Sequence, residues 1–156
     1  MLENILLGLT AMLACLLVQA SLVSISFVFY TRNLELADSP NFRSTFFLMS
    51  GIMVTLVVGT FVQIGIWAVF FMRLDEFADY STALYHSAVN FSTLGYGDIV
   101  MSEAHRILGP MESINGVLMI GVSTAVMMSA LQDAMKRTRA ARREQGLLLH
   151  ERPKEP

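Results

Sequence analysis

Three long apolar stretches, separated by short polar segments, are the main feature of the chain. The stretches at 5–30 and 46–72 contain no charged residue, and the stretch at 107–135 is apolar but carries Glu112 and Asp133. A bilayer core of about 30 Å requires roughly 20 helical residues, so each stretch is long enough to cross it. The pattern therefore predicts an all-α membrane protein with three transmembrane helices.

A shorter amphipathic segment lies between the second and third stretches. Residues 79–91 read DYSTALYHSAVNF, in which Asp79 is suited to cap a helix and small or apolar residues recur at helical spacing. Such a helix is only about 18 Å long, which is too short to cross a bilayer. Irregular backbone at membrane depth is tolerated only where protein buries it or where it lines an aqueous path. We therefore predict a re-entrant helix that returns through a loop.

Composition and charge support membrane residence and predict an orientation. The chain is 54% hydrophobic and 15% charged, whereas soluble domains are roughly a quarter charged. Nine of the eleven Lys and Arg residues fall on one side of the predicted spans, and Arg73 and Arg106 fall on the other. The positive-inside rule makes the basic side cytoplasmic, so we expect a plasma (inner) membrane protein with its N-terminus outside and its C-terminus inside. The basic tail either continues the third helix as a topology signal or also contacts anionic lipid.

The stretch NFSTLGYGDIV, residues 90–100, carries the candidate chemistry. A potassium ion that leaves water needs oxygen ligands of similar energy, which backbone carbonyls aimed at one axis supply. Successive carbonyls turn the same way if the backbone alternates between right- and left-handed conformations, and Gly95 and Gly97 reach the left-handed region without steric cost. Thr93 can add its hydroxyl, and Tyr96 can pack behind the carbonyls. The carboxyl end of the short helix adds a partial negative charge that favours a cation.

Residues 93–98, TLGYGD, closely resemble the selectivity filter of potassium channels, whose usual form is TVGYGD. The segment at 83–98 is similar to the pore helix and filter of the prokaryotic two-helix, pore-loop type. Arg106, Gly116 and Gly121 are placed as in its inner helix, where a glycine acts as a hinge. The resemblance implies three domains: an additional N-terminal transmembrane helix with a cytoplasmic linker (1–45), the pore domain (46–135) and a basic cytoplasmic tail (136–156).

The same resemblance implies a function and a set of ligands. It implies passive, selective K⁺ conduction by a homotetramer, because each chain supplies one filter loop and four loops close the pore. It implies no cofactor, since K⁺ is the permeant ion. The ion-binding residues that it implies are Thr93, Leu94, Gly95, Tyr96 and Gly97, with K⁺ held by the carbonyls of the first four and by the Thr93 hydroxyl.

The filter surroundings depart from the family pattern at several positions. The supporting residues that the resemblance implies are Ser92, Asp98, Val89, Tyr85 and His86. Leu94 replaces the usual valine, and Tyr85-His86 stands where many members carry paired tryptophans. Val89 stands where some prokaryotic members carry a glutamate that pairs with the filter aspartate. We therefore expect Asp98 to lack that glutamate partner. Both His86 and His105 are expected to be polar packing residues rather than pH sensors.

The third apolar stretch would form the inner helix. If Gly116 bends this helix as in the family, helical periodicity turns Val117, Ile120 or Gly121, and Thr124 towards a central cavity. Glu112 has two interpretations: a carboxyl that ties the inner helix to the pore helix through His86, Asn90 or Ser87, or a cavity charge that concentrates K⁺. Ser123 and Thr124 are expected to bond back to their own helix.

The first apolar stretch has no counterpart in a two-helix channel. Its small residues Ala11, Ala14, Ser21 and Ser24 permit close helix contact, and we expect it to brace the outer helix at the tetramer's edge. It lacks regularly spaced arginines, so it is not a voltage sensor. The chain contains no nucleophile constellation or metal-ligand cluster, so we expect neither an enzyme nor a nucleic-acid-binding protein. A weakly selective cation channel of the same fold and a non-conducting regulatory membrane subunit are the alternatives.

Overall fold

The described part of the computed structural model, residues 1–38 and 41–150, is all-helical, without strands. Three of its helices are long and apolar enough to cross a membrane: Leu2–Arg32, Arg43–Arg73 and Leu108–Arg143. The predicted all-α membrane fold with three spans is therefore confirmed. The five helices in chain order are α1 (Leu2–Arg32), α2 (Leu34–Ala37), α3 (Phe42–Arg73), α4 (Tyr80–Phe91) and α5 (Leu108–His150).

The contacts at the helix ends define two sides of the molecule. On one side, the Asn4 side chain at the start of α1 donates a hydrogen bond to the Ala104 carbonyl, which precedes α5. On the other side, the end of α1 meets α5, where the Tyr30 hydroxyl donates to Asp133. Helices α1 and α5 therefore run in the same direction, and α3 runs back between the two sides. Arg32 lies on the side where the basic residues of α5 begin.

Helix α1 packs on both long neighbours rather than on the outer helix α3 alone. Ala11 and Cys15 of α1 are buried in an apolar cluster with Trp67 and Phe71 of α3 and Leu108 of α5. Helix α1 thus packs on the outer helix as expected, and it packs on α5 as well.

Glycines, more than the small residues singled out from the sequence, bring the helices close together. A Cβ on Gly59 of α3 would lie 2.0 Å from the Leu22 side chain of α1, and one on Gly51 would lie 2.6 Å from Phe29. The predicted contact residues Ser21 and Ser24 are exposed, and their hydroxyls bond to carbonyls of their own helix. The glycines of α3 thus leave room for the bulky side chains of α1.

The short helix α4 begins and ends where the sequence predicts. Asp79 is its N-cap: the carboxylate accepts hydrogen bonds from the Thr82 backbone at 2.9 Å and from the Thr82 hydroxyl at 2.7 Å. These bonds from Thr82 hold the pKa of Asp79 below its usual value. Helix α5 continues without interruption to His150, so the basic tail extends the third helix as predicted over residues 136–150. Residues 151–156 lie outside the described part of the chain.

Candidate functional site

The backbone after α4 alternates in the way that the glycine spacing predicts. Thr93, Gly95 and Gly97 have φ angles of 61°, 56° and 74°, whereas the intervening Leu94 and Tyr96 do not have positive φ. Left-handed conformation at every second residue turns successive carbonyls towards the same side. Thr93 was not expected to adopt it, because a β-branched residue rarely has positive φ.

Helix α4 holds the first residues of this loop through its own last turn. The Thr93 amide donates to the Asn90 carbonyl at 2.8 Å, and the Leu94 amide donates to the Val89 carbonyl at 2.9 Å. The Ser92 hydroxyl donates to the Ala88 carbonyl at 2.7 Å. These bonds use carbonyls that a helix end leaves unpaired, so the loop starts from a fixed position.

Asp98 has no partner at Val89, as expected, and its hydrogen-bond partner is Tyr85 instead. The Tyr85 phenolic oxygen donates to Asp98 Oδ2 at 2.7 Å across thirteen residues. This bond is the main reason why the pKa of the Asp98 carboxyl is below its usual value. Val89, which replaces the glutamate, is buried instead. The sequence marks Tyr85 as a departure from the family pattern but does not identify it as the donor to Asp98.

His86 makes a second connection from α4 to the outer end of the loop. Its Nε2 lies 2.8 Å from Asn90 Nδ2, which can only donate, so Nδ1–H donates to the Ile99 carbonyl at 3.0 Å. The ring is buried, and it lies 5.6 Å from the Phe71 ring and 4.8 Å from the Phe77 ring. Burial lowers the pKa of His86, despite the bond to Ile99. This geometry is that of a neutral packing residue, as expected for His86.

We predict that Tyr85→Phe loosens the outer end of the loop while the fold is retained. The substitution removes one hydroxyl from an exposed ring and leaves Asp98 without its donor. We expect faster amide hydrogen exchange at residues 96–99 and a higher pKa of Asp98, measured by carboxyl titration in NMR. Tyr80→Phe, an exposed tyrosine at the start of α4, is the control. Unchanged exchange and titration in Tyr85→Phe would contradict the assigned bond.

Glu76 organises the segment that leads from the loop into α5. Its carboxylate accepts from the Ser102 amide at 2.7 Å, from the Ser102 hydroxyl at 2.5 Å and from His105 Nδ1 at 2.5 Å. Its side chain is only 5% exposed. Burial opposes the charged form, but the bonds from Ser102 and His105 outweigh it, so the pKa of Glu76 lies below its usual value.

The Glu76 cluster predicts acid sensitivity of this segment. Since the folded-state pKa of Glu76 is lowered, its contribution to stability is complete above the unfolded-state pKa of about 4.3 and is lost as pH falls through the folded-state value. We expect amide exchange at residues 101–107, corrected for intrinsic exchange, to accelerate below about pH 4.3. Glu76→Gln should remove most of this pH dependence. Equal acid sensitivity in both proteins would show that another group is responsible.

The first half of α5 packs closely on the end of α4. Gly116 lies against Phe91: a Cβ there would be 1.9 Å from the Phe91 carbonyl oxygen. The Ser113 hydroxyl donates to the Asn90 carbonyl at 2.8 Å. Glu112 is completely buried, and the side chains of Ser87 and Asn90 face its carboxyl without full hydrogen-bond geometry. Glu112 thus lies on the face of α5 that is directed at α4.

The predicted cavity residues lie on another face of α5. Val117 and Ile120 are 57% and 47% exposed on the single chain, and Gly121 and Thr124 are exposed as well. The Thr124 hydroxyl bonds back to the Ile120 carbonyl as expected, but Ser123 Oγ accepts a hydrogen bond from Gln19 of α1. The expectation for Ser123 was therefore wrong, because the approach of α1 supplies a donor that the α5 sequence does not reveal.

A family comparison matches this region. Residues 57–133 match the model of a family described as "Ion channel". The match begins within α3, includes α4 and the loop, and ends within α5. Fold and match together support an ion channel of the membrane. The match is to a region that excludes α1 and α2. No curated protein and no solved structure matches the chain.

Proposed function

We propose that this chain forms a potassium-selective channel that conducts K⁺ passively through a filter of backbone carbonyls. The observation that carries the proposal is the alternating backbone of Thr93, Gly95 and Gly97 within TLGYGD, at the carboxyl end of a helix too short to span. In this conformation successive carbonyls turn towards one side. Carbonyl oxygens arranged in this way replace the hydration shell of K⁺.

Each filter residue has a role in the proposed mechanism. The carbonyls of Thr93, Leu94, Gly95 and Tyr96 provide successive rings of ligands, and the Thr93 hydroxyl completes the innermost one. The Gly97 conformation turns the chain away from the ion path, and Asp98, held by Tyr85, anchors its outer end. Helix α4 directs its partial negative charge to the ion entering from the inner side.

A homotetramer accounts for the surfaces that the single chain leaves exposed. Residues 92–98 are exposed, and the large apolar side chains of Leu94 and Tyr96 are 55% and 65% exposed. Four copies around one axis would bring four loops together and cover these side chains. The face of α5 with Val117 and Ile120 would then line the cavity, and Gly116 or Gly121 would provide its hinge.

The proposed placement follows the charge distribution. The basic side, with the C-terminal part of α5, faces the cytoplasm across the plasma (inner) membrane, and the filter opens to the outside together with the N-terminus. The basic residues from Lys136 onward would lie near anionic headgroups, each contributing about 1 kcal/mol.

Flux into proteoliposomes tests the proposal. Purified protein in liposomes with an outward K⁺ gradient should drive uptake of a K⁺ tracer, and the same gradient of Na⁺ should drive little uptake of a Na⁺ tracer. Gly95→Ala, which puts a side chain on a residue with φ of 56°, is the inactive control because it strains the ligand geometry. Equal K⁺ and Na⁺ flux would favour the weakly selective channel, and no flux would favour the non-conducting subunit.

A further inference from the structure

A chain of buried side-chain amides connects three helices within the apolar spans. Gln63 Nε2 of α3 donates to Gln19 Oε1 of α1 at 2.8 Å. Gln19 Nε2 in turn donates to Ser123 Oγ of α5 at 3.0 Å. Gln19 is 3% exposed and Gln63 is 1% exposed. Both polar atoms of the Gln19 side chain are paired, whereas Gln63 Oε1 has no partner. Because a buried amide is costly where it lacks partners, the pairing of Gln19 favours this arrangement of the three helices.

A second polar cluster connects the other end of α1 to α5. The Tyr30 hydroxyl donates to Asp133 Oδ2 at 2.6 Å, and Arg137 Nε donates to the same oxygen at 2.7 Å. Arg137 also reaches Asp38, just after α2, with Nη1 3.2 Å from Oδ1. The Thr138 hydroxyl donates to the Ala37 carbonyl at 3.2 Å. The end of α1 and the following segment are therefore bound to α5 by several groups.

The two connections lie at matching heights along parallel helices. Ser123 and Asp133 are separated by about 15 Å on α5, and Gln19 and Tyr30 by about 16 Å on α1. Between them the helices separate around a cavity of about 400 Å³, whose walls include Val23, Ser26 and Ala130. Tyr30 and Asp133 of the second connection also line this cavity, and their hydrogen bond joins α1 to α5 there.

Both connections act on the half of α5 that the pore helix does not hold. The first half of α5 is fixed to α4 through Ser113 and Gly116. Ser123 and Asp133 follow Gly116, and the candidate hinge Gly121 also precedes both. A displacement of this second half relative to α1 would have to break the bond to Gln19 and then the bond to Tyr30.

We propose that α1 holds the second half of the inner helix in position through two side-chain connections. Gln19 and Tyr30 are the positioning residues, and we call this pair of connections the strap. The inference rests on the proposed function in one respect: one of its two tests measures the open–closed equilibrium of a conducting channel. The bonds stabilise the conformation in which they form, so removing them shifts this equilibrium in one direction. The ion path itself is untouched, since neither residue belongs to the filter or to the exposed face of α5.

Single-channel recording of the full chain in planar bilayers tests the strap. The variants are Gln19→Leu, Ser123→Ala, their combination and Tyr30→Phe, with Ser24→Ala as the matched control, because the exposed Ser24 hydroxyl bonds within its own helix. We expect each strap variant to change the open–closed ratio about three- to twentyfold per subunit, all in the same direction, with unchanged unitary conductance. The combined variant should change the ratio by less than the product of the two single effects.

An exchanged pair separates a lost bond from damaged packing. Gln19→Ser combined with Ser123→Gln places the same two groups on opposite helices, and we expect it to restore much of the original ratio. Two results would overturn the strap. One is an open–closed ratio in the strap variants equal to that of Ser24→Ala. The other is a combined variant whose change in the ratio equals the product of the changes caused by Gln19→Leu and Ser123→Ala.

A distance measurement keeps the inference testable if the protein does not conduct. Spin labels on Arg139→Cys in a Cys15→Ala background report the distances between the second halves of α5 in different subunits. We expect Gln19→Leu and Tyr30→Phe to shift or broaden these distances, while Ser24→Ala does not. Absent K⁺ flux in the unaltered protein would refute the proposed function alone, whereas unchanged distances in both variants would refute the strap.

Discussion

Gly116→Ala is expected to abolish K⁺ flux and to reduce the yield of assembled protein. The added Cβ would lie 1.9 Å from the Phe91 carbonyl oxygen and 2.8 Å from the Phe91 carbonyl carbon. These are backbone atoms at the end of α4, so no side-chain rotation relieves the clash. Overpacking of this kind typically costs about 1–3 kcal/mol. Because the filter starts two residues after Phe91, the displacement passes directly to the ion-binding loop.

Gly121→Ala is the matched control for Gly116→Ala. It lies five residues further along the same helix, and a Cβ there has no neighbour within 4 Å in the single chain. A helical glycine replaced by alanine gains up to about 1 kcal/mol of helix propensity, so this variant should fold at least as well as the original. Thermal unfolding in detergent and proteoliposome flux are the measurements. Normal K⁺ flux in Gly116→Ala would contradict the close contact between Gly116 and the Phe91 carbonyl.

Substitution of Glu112 is expected to discriminate between its two interpretations. Glu112 is completely buried on the side of α5 that faces Ser87 and Asn90, away from the exposed face with Val117 and Ile120. We therefore expect Glu112→Gln, which keeps the shape and the hydrogen-bonding capacity, to retain expression and K⁺ current. Glu112→Ala should destabilise the protein by about 2–4 kcal/mol, because it leaves a cavity in place of a completely buried side chain.

The measurements for Glu112 are unfolding in detergent and current at equal protein density. Ile114→Ala, on the same helix but 57% exposed, controls for loss of apolar surface without a buried cavity. If Glu112→Gln were to express normally but carry sharply reduced current, the carboxylate charge would act on the ion path, and the tie to the pore helix would be the wrong interpretation.

Local patterns were sufficient to predict most of the helical framework. Asp79 and the apolar spacing after it predicted α4 to within one residue, because capping and amphipathic periodicity are properties of adjacent residues. The two glycines of the loop predicted backbone alternation, since φ preference is local. Thr93 was missed because its left-handed φ opposes its own preference, and the bonds around Val89 and Asn90 impose it.

Contacts between distant residues were less accessible from the sequence. The sequence indicates that Val89 gives Asp98 no partner, but it does not show that Tyr85, from an earlier turn of α4, supplies one. Gly116 was assigned as a hinge, which remains a prediction, and its close approach to Phe91 was not foreseen. Residue type alone does not show whether a helical glycine permits bending or close packing.

The sequence by itself determined that the chain has three helices able to cross a membrane, and a glycine-spaced loop after a helix too short to cross one. Hydropathy, glycine spacing and charge are properties of adjacent residues. Within a bilayer the backbone N–H and C=O groups must be hydrogen-bonded inside the protein, which leaves few folds other than spanning helices. Only the tertiary structure decided which polar side chains meet across helices. Gln19, Gln63 and Ser123 are unremarkable within their own segments, and they form a connection only because helix packing brings them within hydrogen-bond distance.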